Sequence, residues 1–529
     1  MRFFLLLLAF PFCLSAANPT IDGNRFTFLG IDGGAMLEFT SGTSFRLVRW
    51  WGPAQPVLGD PVYRDRVWTQ SDDRLTLLAI DTKYLQVEIA KDDYRLSVKQ
   101  AGKPAAVWTE RRGAVRQGSG YVLDSSFNAA SEKLYGFGAP VRPRAMEQNG
   151  HRFTVDRPSL YFSSGGYGRF LSRAGGTYEV DAGATEPGRL RIVAKNLAVA
   201  EQYFYFGPSP KEILEQHLAA TQTQVYHKDA ILNLMDESSL TPDMIRIPVT
   251  EANYCDLSHL INASSASGAT YQAVDLSKAG KYEDVFRMFP ILYRSDASKG
   301  SPEIEVRRKP WLPYLRTYLR EAYDRGLPIL RPLIMQYSRD AGMERRTDVF
   351  MLGDELLVAP GCDLKTVELP RGRWTDLRTN KEYAGRTNVA NDAPGLPVYV
   401  KMGSILPLVP QRKDVGLELH YYPKIGAEFF LIEPEVGEYS QFHASPVGDI
   451  LRVEAESKIS RRCEWILHHV DRPSSVSEGE TKFRELSSRG ALQPATWFYD
   501  ADQRSLHIMM DVKAGDDHIV NALYSRCRE

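Results

Sequence analysis

The chain has 529 residues, 43% of them hydrophobic and 11% aromatic, with a formal net charge of −1. That length and apolar content provide for several domains and more than one core. A charge this close to zero gives no electrostatic basis for nucleic acid or an anionic membrane as the main partner.

Residues 1–17 read as a secretory signal. Arg2 precedes the apolar run Phe3 to Leu14, and Ser15-Ala16-Ala17 supplies small residues suited to cleavage before Asn18. That run is too short to span a bilayer, and nothing later reaches ~18 uninterrupted apolar residues. A secreted or periplasmic protein without a membrane span is therefore expected. Its mature part keeps Cys255, Cys362, Cys463 and Cys527. They lack metal-ligand spacing, so one or two disulfides at most are foreseen, with no metal and no cofactor.

From Asn18 to about Thr221 short alternating runs recur, such as Tyr84-Leu-Gln-Val-Glu-Ile-Ala and Tyr94-Arg-Leu-Ser-Val-Lys-Gln, separated by Gly, Asp and Pro turns. The simplest reading is a β-sandwich. Pro208 to Ala220 reads as a short helix. Ala230 to Ser238 is a mostly apolar run ending in Asp236 and Glu237, and Met244 to Thr250 is a second one. Leu257 to Ser264 reads as a helix, and Ala269 to Asp275 as a strand ending in a carboxylate.

In Lys309 to Leu333, residues Leu315, Tyr318, Leu319 and Ala322 form one apolar stripe. Gly326 is a C-terminal stop, and Pro328 forbids further helix. Ile329 to Met335, apolar apart from Arg331, reads as a largely buried strand, and the pair suggests a parallel, helix-covered sheet. Beyond Pro410 the pattern returns to β, as in Leu417-Glu-Leu-His-Tyr-Tyr and Ser505-Leu-His-Ile-Met-Met-Asp-Val.

Five segments then carry a resemblance. They are Pro313-Tyr314, Gly326-Leu-Pro-Ile-Leu-Arg-Pro-Leu, Met351-Leu-Gly-Asp-Glu-Leu-Leu-Val-Ala-Pro, Leu369-Pro-Arg-Gly-Arg-Trp-Thr-Asp-Leu and Pro397-Val-Tyr-Val-Lys-Met-Gly-Ser-Ile-Leu-Pro. In that order they resemble the end of the barrel in glycoside hydrolase family 31, the retaining α-glucosidase and α-xylosidase family. Lys133-Leu-Tyr-Gly-Phe-Gly-Ala and Gly166-Tyr-Gly-Arg-Phe-Leu resemble its N-terminal domain.

The resemblance implies a (β/α)8 barrel, which takes about 250 residues. Only about 105 separate Thr221 from Gly326. A reduced barrel remnant is expected, with the loss just after Thr221. The layout that follows is multidomain β plus α/β. It comprises a signal at 1–17, an N-terminal β-sandwich at 18–221, a truncated α/β barrel domain at 222–345, and two C-terminal β-domains at 346–410 and 411–529.

Retaining hydrolysis needs two carboxyl groups ~5–5.5 Å apart. The family's nucleophile stands in a Trp-x-Asp-Met-Asn-Glu-like setting after the fourth strand, and its acid/base in a Gly-Asp pair. Neither motif is present. The candidates left for these roles are Asp236, at a strand end, and Glu251; the plain readings are a solvated turn and a surface glutamate before a helix. Asp275 matches the family's aspartate that binds sugar hydroxyls, and Arg294 an arginine near the pocket. The family has a sugar-binding histidine two residues beyond that arginine, where this chain has Asp296. Arg331 and Asp354 suggest a structural pair.

Two functions are open. One is an exported α-glycosidase acting on an oligosaccharide or α-glycoside. The other is a catalytically degenerate carbohydrate-binding or scaffold protein. An open half-barrel would expose strand edges, which the β-domains, a second copy of the chain in a homo-oligomer, or another partner would cover. Loss of an internal segment from the sequence is a third explanation for the short barrel.

Overall fold

The computed structural model describes residues 18–30, 32–59, 67–138, 146–221, 227, 232–250, 253–266, 270–279, 285–296, 302–340, 342–361 and 364–524. Two compact units result, one of Met1–Pro140 with Glu147–Gln222 and one of Val141–Met146 with Thr223–Glu529.

The first unit is built from an eight-stranded and a nine-stranded sheet, both antiparallel. Strict alternation sets their inner faces. In Leu85–Ala90 every second residue is buried, and Leu85, Val87 and Ile89 are fully inaccessible. These side chains share one core with Phe45, Leu47 and Phe204 of the other sheet. Within it the Phe45 and Phe204 rings stack with centroids 5.0 Å apart. The expected helix forms at Pro210–Thr221 and packs on this unit.

The second unit opens with a four-stranded parallel sheet. Its strands are β1 (Leu234–Asp236), β2 (Met244–Thr250), β3 (Tyr271–Lys278) and β4 (Ile291–Arg294), in the spatial order β1-β4-β3-β2. The helix α1 (Leu257–Ala266) joins β2 to β3 and lies against both, the crossover that parallel neighbours require. Strands β1 and β2 follow each other in sequence yet form opposite edges.

The helix α2 (Leu312–Arg325) carries the expected stripe, with Leu315, Tyr318, Leu319 and Ala322 all buried. Gly326 ends it in the left-handed region (φ 70°), donating to Ala322 O at 3.0 Å.

The run after this stop is a correction to the sequence reading. Ile329 to Met335 is buried throughout, but only Leu330–Arg331 is strand, and Leu333–Tyr337 is a short helix. Pro328 and Pro332 bracket the strand and withhold backbone donors on both sides. Nor does it join the parallel sheet. It pairs antiparallel with Phe350–Leu352 at one edge of a separate six-stranded sheet. Past that sheet, two further six-stranded sheets complete the chain, including Leu417–Tyr422 and Ser505–Val512 at the positions their alternation marks.

Candidate functional site

In parallel sheets function gathers at the C-terminal ends of the strands. Here that edge presents Asp236 at the end of β1, Arg294 at the end of β4 and Asp275 near the end of β3. The cross-strand register decides how they relate. Asp236 lies opposite Arg294, whereas Asp275 lies opposite Tyr293. Paired residues share a face and successive residues alternate, so Asp236 and Asp275 project from opposite faces of the sheet. Two strand spacings also separate their backbones, roughly 10 Å.

Asp275 is buried, at 9% exposure, and its carboxylate is occupied by its own chain. Oδ1 accepts from Ser277 N at 3.0 Å, Ser277 Oγ at 2.7 Å and Ser295 N at 3.3 Å. Oδ2 accepts from Ser295 Oγ at 2.6 Å. Ser277 Oγ in turn accepts from Asp296 N at 3.1 Å. Burial opposes the Asp275 charge, but the serine donors outweigh it and hold the carboxyl below its ordinary value. Burial and the nearby Asp275 charge push the Tyr293 phenol up to about 12. Together these groups tie the C-terminal half of β3 to the two residues that follow β4.

Asp236 is exposed and stands before the single turn Glu237–Ser239, making no capping hydrogen bond through its side chain. Asp296 is exposed and Arg294 half-buried. Glu251 lies outside the described residues.

A second charged constellation surrounds Arg331, which is fully buried. Its guanidinium donates to Asp354 and Glu321 and, at 2.7 Å, to Pro328 O. Gln336 also donates to Asp354. The sequence reading marked Arg331 and Asp354 but not Glu321, whose place on the α2 face beside Tyr318 is the one signal that could have found it. Elsewhere Cys255 is disulfide-bonded and Cys463 is a buried free thiol.

Comparison with known proteins turns on the same region. The family model for the glycosyl hydrolase family 31 C-terminal domain matches residues 326–406. An α-glucosidase of Saccharolobus solfataricus is 37% identical over 108 residues, 20% of this chain and 15% of that protein. An isomaltosyltransferase of Sporosarcina globispora is 24% identical over 297 residues, 47% of this chain and 27% of that protein. This chain belongs to glycoside hydrolase family 31.

It spans about a quarter or less of the length of these curated family 31 relatives. A solved family 31 dextranase of Flavobacterium johnsoniae, complexed with glucose, superposes with a TM-score of 0.79. The alignment is 13% identical and covers 96% of this chain and 99% of that one. A cycloalternan-forming enzyme of Listeria monocytogenes, in complex with a pentasaccharide substrate, gives 0.77 at 13% identity, covering 96% and 77%. These superpositions establish a shared β-rich, multidomain family 31 fold.

Proposed function

We propose that this chain is an exported, carbohydrate-binding member of family 31 whose described residues hold no paired carboxylates of the retaining kind at the strand ends. The register carries this reading. Of the two strand-end aspartates, one is solvated and the other is consumed by four internal donors, and they face away from each other. A retaining pair must sit ~5–5.5 Å apart, flanking one glycosidic bond.

The strand order supports a reduced barrel as the cause. In a closed eight-stranded barrel the first strand lies beside the last, and the last beside the seventh. The order β1-β4-β3-β2 is that of a first strand followed by the eighth, seventh and sixth. The short link from Glu237 to Asp243 then replaces strands two to five. On this reading the loss falls between β1 and β2, in the stretch that follows Thr221, and includes the fourth strand, whose end carries the family nucleophile. Asp236 ends a first strand instead.

Ligand class follows from the relatives. The dextranase is complexed with glucose and, as a mutant, with isomaltotriose, so α-linked gluco-oligosaccharides are the proposed ligands. The run Phe3 to Leu14, with Ser15-Ala16-Ala17, supports export.

The test is hydrolysis of aryl α-glucoside, α-xyloside and α-galactoside by the purified chain, beside Asp236→Ala and Glu251→Ala. We expect a cooperatively melting protein without turnover. Turnover abolished in either variant would instead make the chain a working glycosidase with relocated carboxylates, because such a pair acts as a unit.

A further inference from the structure

Within the second unit a cavity of about 510 Å3 opens between α2, the turn at Asp354–Glu355 and a β-hairpin. The hairpin strands are β5 (Ala427–Glu433) and β6 (Glu438–Val447), paired antiparallel. The volume falls in the range of ~300–1,000 Å3 typical of small-ligand sites. It is distant in sequence from every strand-end aspartate of the parallel sheet.

The chemistry of its lining is specific. Along β5 alternation sends Phe429 and Leu431 into the core, at 4% and 2% exposure, and leaves Glu428 and Phe430 outside. Phe430 therefore offers an aromatic face to the cavity while 44% exposed. At the floor is Glu355, half-buried. Its Oε2 accepts from Tyr314 at 2.8 Å and Tyr318 at 2.5 Å. Among the described residues no hydrogen-bond donor reaches its Oε1.

The cavity is rich in carboxylates, yet most are already neutralised. Arg320 holds Asp324 at 2.9 Å, Arg325 holds Glu321 at 2.7 Å, and Arg331 bridges Glu321 and Asp354. Tyr439 also donates to Asp324, at 2.8 Å. What is left for a ligand is an aromatic face beside acceptor oxygens without a matching excess of unpaired charge. That combination suits a neutral polyhydroxylated ring, with C–H faces for the phenyl group and hydroxyl donors for the carboxyls.

We propose that this cavity is a sugar-binding site for a short, neutral α-linked oligosaccharide. Its ring stacks on Phe430, and its hydroxyls hydrogen-bond to Glu355 and donate to Glu428. The assignment rests on the carbohydrate-binding reading above and adds where the glycan sits.

Isothermal titration of the full chain with isomaltotriose and maltotriose tests it, beside Phe430→Ala and Glu428→Gln. Both substituted side chains are solvent-facing, and melting curves check that each variant folds. We expect the wild type to bind at least one trisaccharide, Phe430→Ala to weaken it tenfold or more, and Glu428→Gln to weaken it several-fold. If the wild type binds and both variants bind equally well, the glycan sits elsewhere; the cavity assignment falls while the binding function stands. If the wild type binds neither sugar, both fall together. Binding of glucosamine but of neither trisaccharide would make this a cation site and overturn the assignment.

Discussion

Gly353 lies directly against the ring of Tyr318. A Cβ built on this glycine would stand 2.4 Å from the tyrosine Cε2, and equally close to Tyr314 Oη. Its φ of +64° is also one that side-chain-bearing residues rarely adopt. Two causes thus demand glycine at one position. We expect Gly353→Ala to cost roughly 2–4 kcal/mol, combining overpacking with backbone strain. Urea unfolding of the two proteins measures it, and a cost under about 0.5 kcal/mol would mean that the tyrosines yield.

Arg331 touches both Glu321 and Asp354 from the buried side, and its guanidinium also lies 5.2 Å from the Tyr318 ring centroid. Arg331→Met would leave two carboxylates facing each other beside Glu355. Breaking such a buried set by removing one member costs about 3–5 kcal/mol. Adding Glu321→Gln to the same chain should recover part of that loss, a coupling that a double-mutant cycle reads out. Strict additivity of the two changes would remove Glu321 from the network.

Those contacts mark the limit of what the sequence makes legible. Periodicity alone places α2, and Gly326 with Pro328 fixes its end, because capping and helix breaking act over a few residues. The strands at Leu417–Tyr422 and Ser505–Val512 are legible for the same local reason. Strand order is not, since the β1–β4 pairing joins residues over 50 apart in the chain. So Asp236 and Asp275 look alike as strand-end carboxylates until register separates their faces. Glu355 escapes notice too, because Tyr314 and Tyr318 reach it from about 40 positions away. The run after Pro328 reads as a longer strand than it forms, because its apolar composition fits buried strand and short helix equally.

Asp275 tests whether the strand-end carboxylate is a structural clamp. Its folded pKa is depressed, so the stability it contributes is present above the unfolded carboxylate value of about 3.9 and lost as pH falls through the depressed one. Asp275→Asn keeps the shape but not the charge that the serine donors favour. We expect a loss of about 1–3 kcal/mol at pH 7. The gap should close as pH falls through the depressed value, where the wild-type carboxyl is itself protonated. A gap that stays constant with pH would assign the effect to packing.

Glu355 runs the other way. Burial first, and then the Asp354 charge, push its carboxyl up to about 7, against the pull of the two tyrosine hydroxyls. The fold therefore favours the protonated acid. Its contribution is fully present below the unfolded value of about 4.3 and is lost as pH rises through about 7. Glu355→Gln fixes a neutral group that can still accept from Tyr314 and Tyr318. Below about pH 4, under the unfolded value, the variant and the wild type should melt together. At pH 8 the variant should melt higher, by on the order of 2–4 °C for each kcal/mol recovered. A variant less stable at both values would show that the charged carboxylate is the form these tyrosines hold.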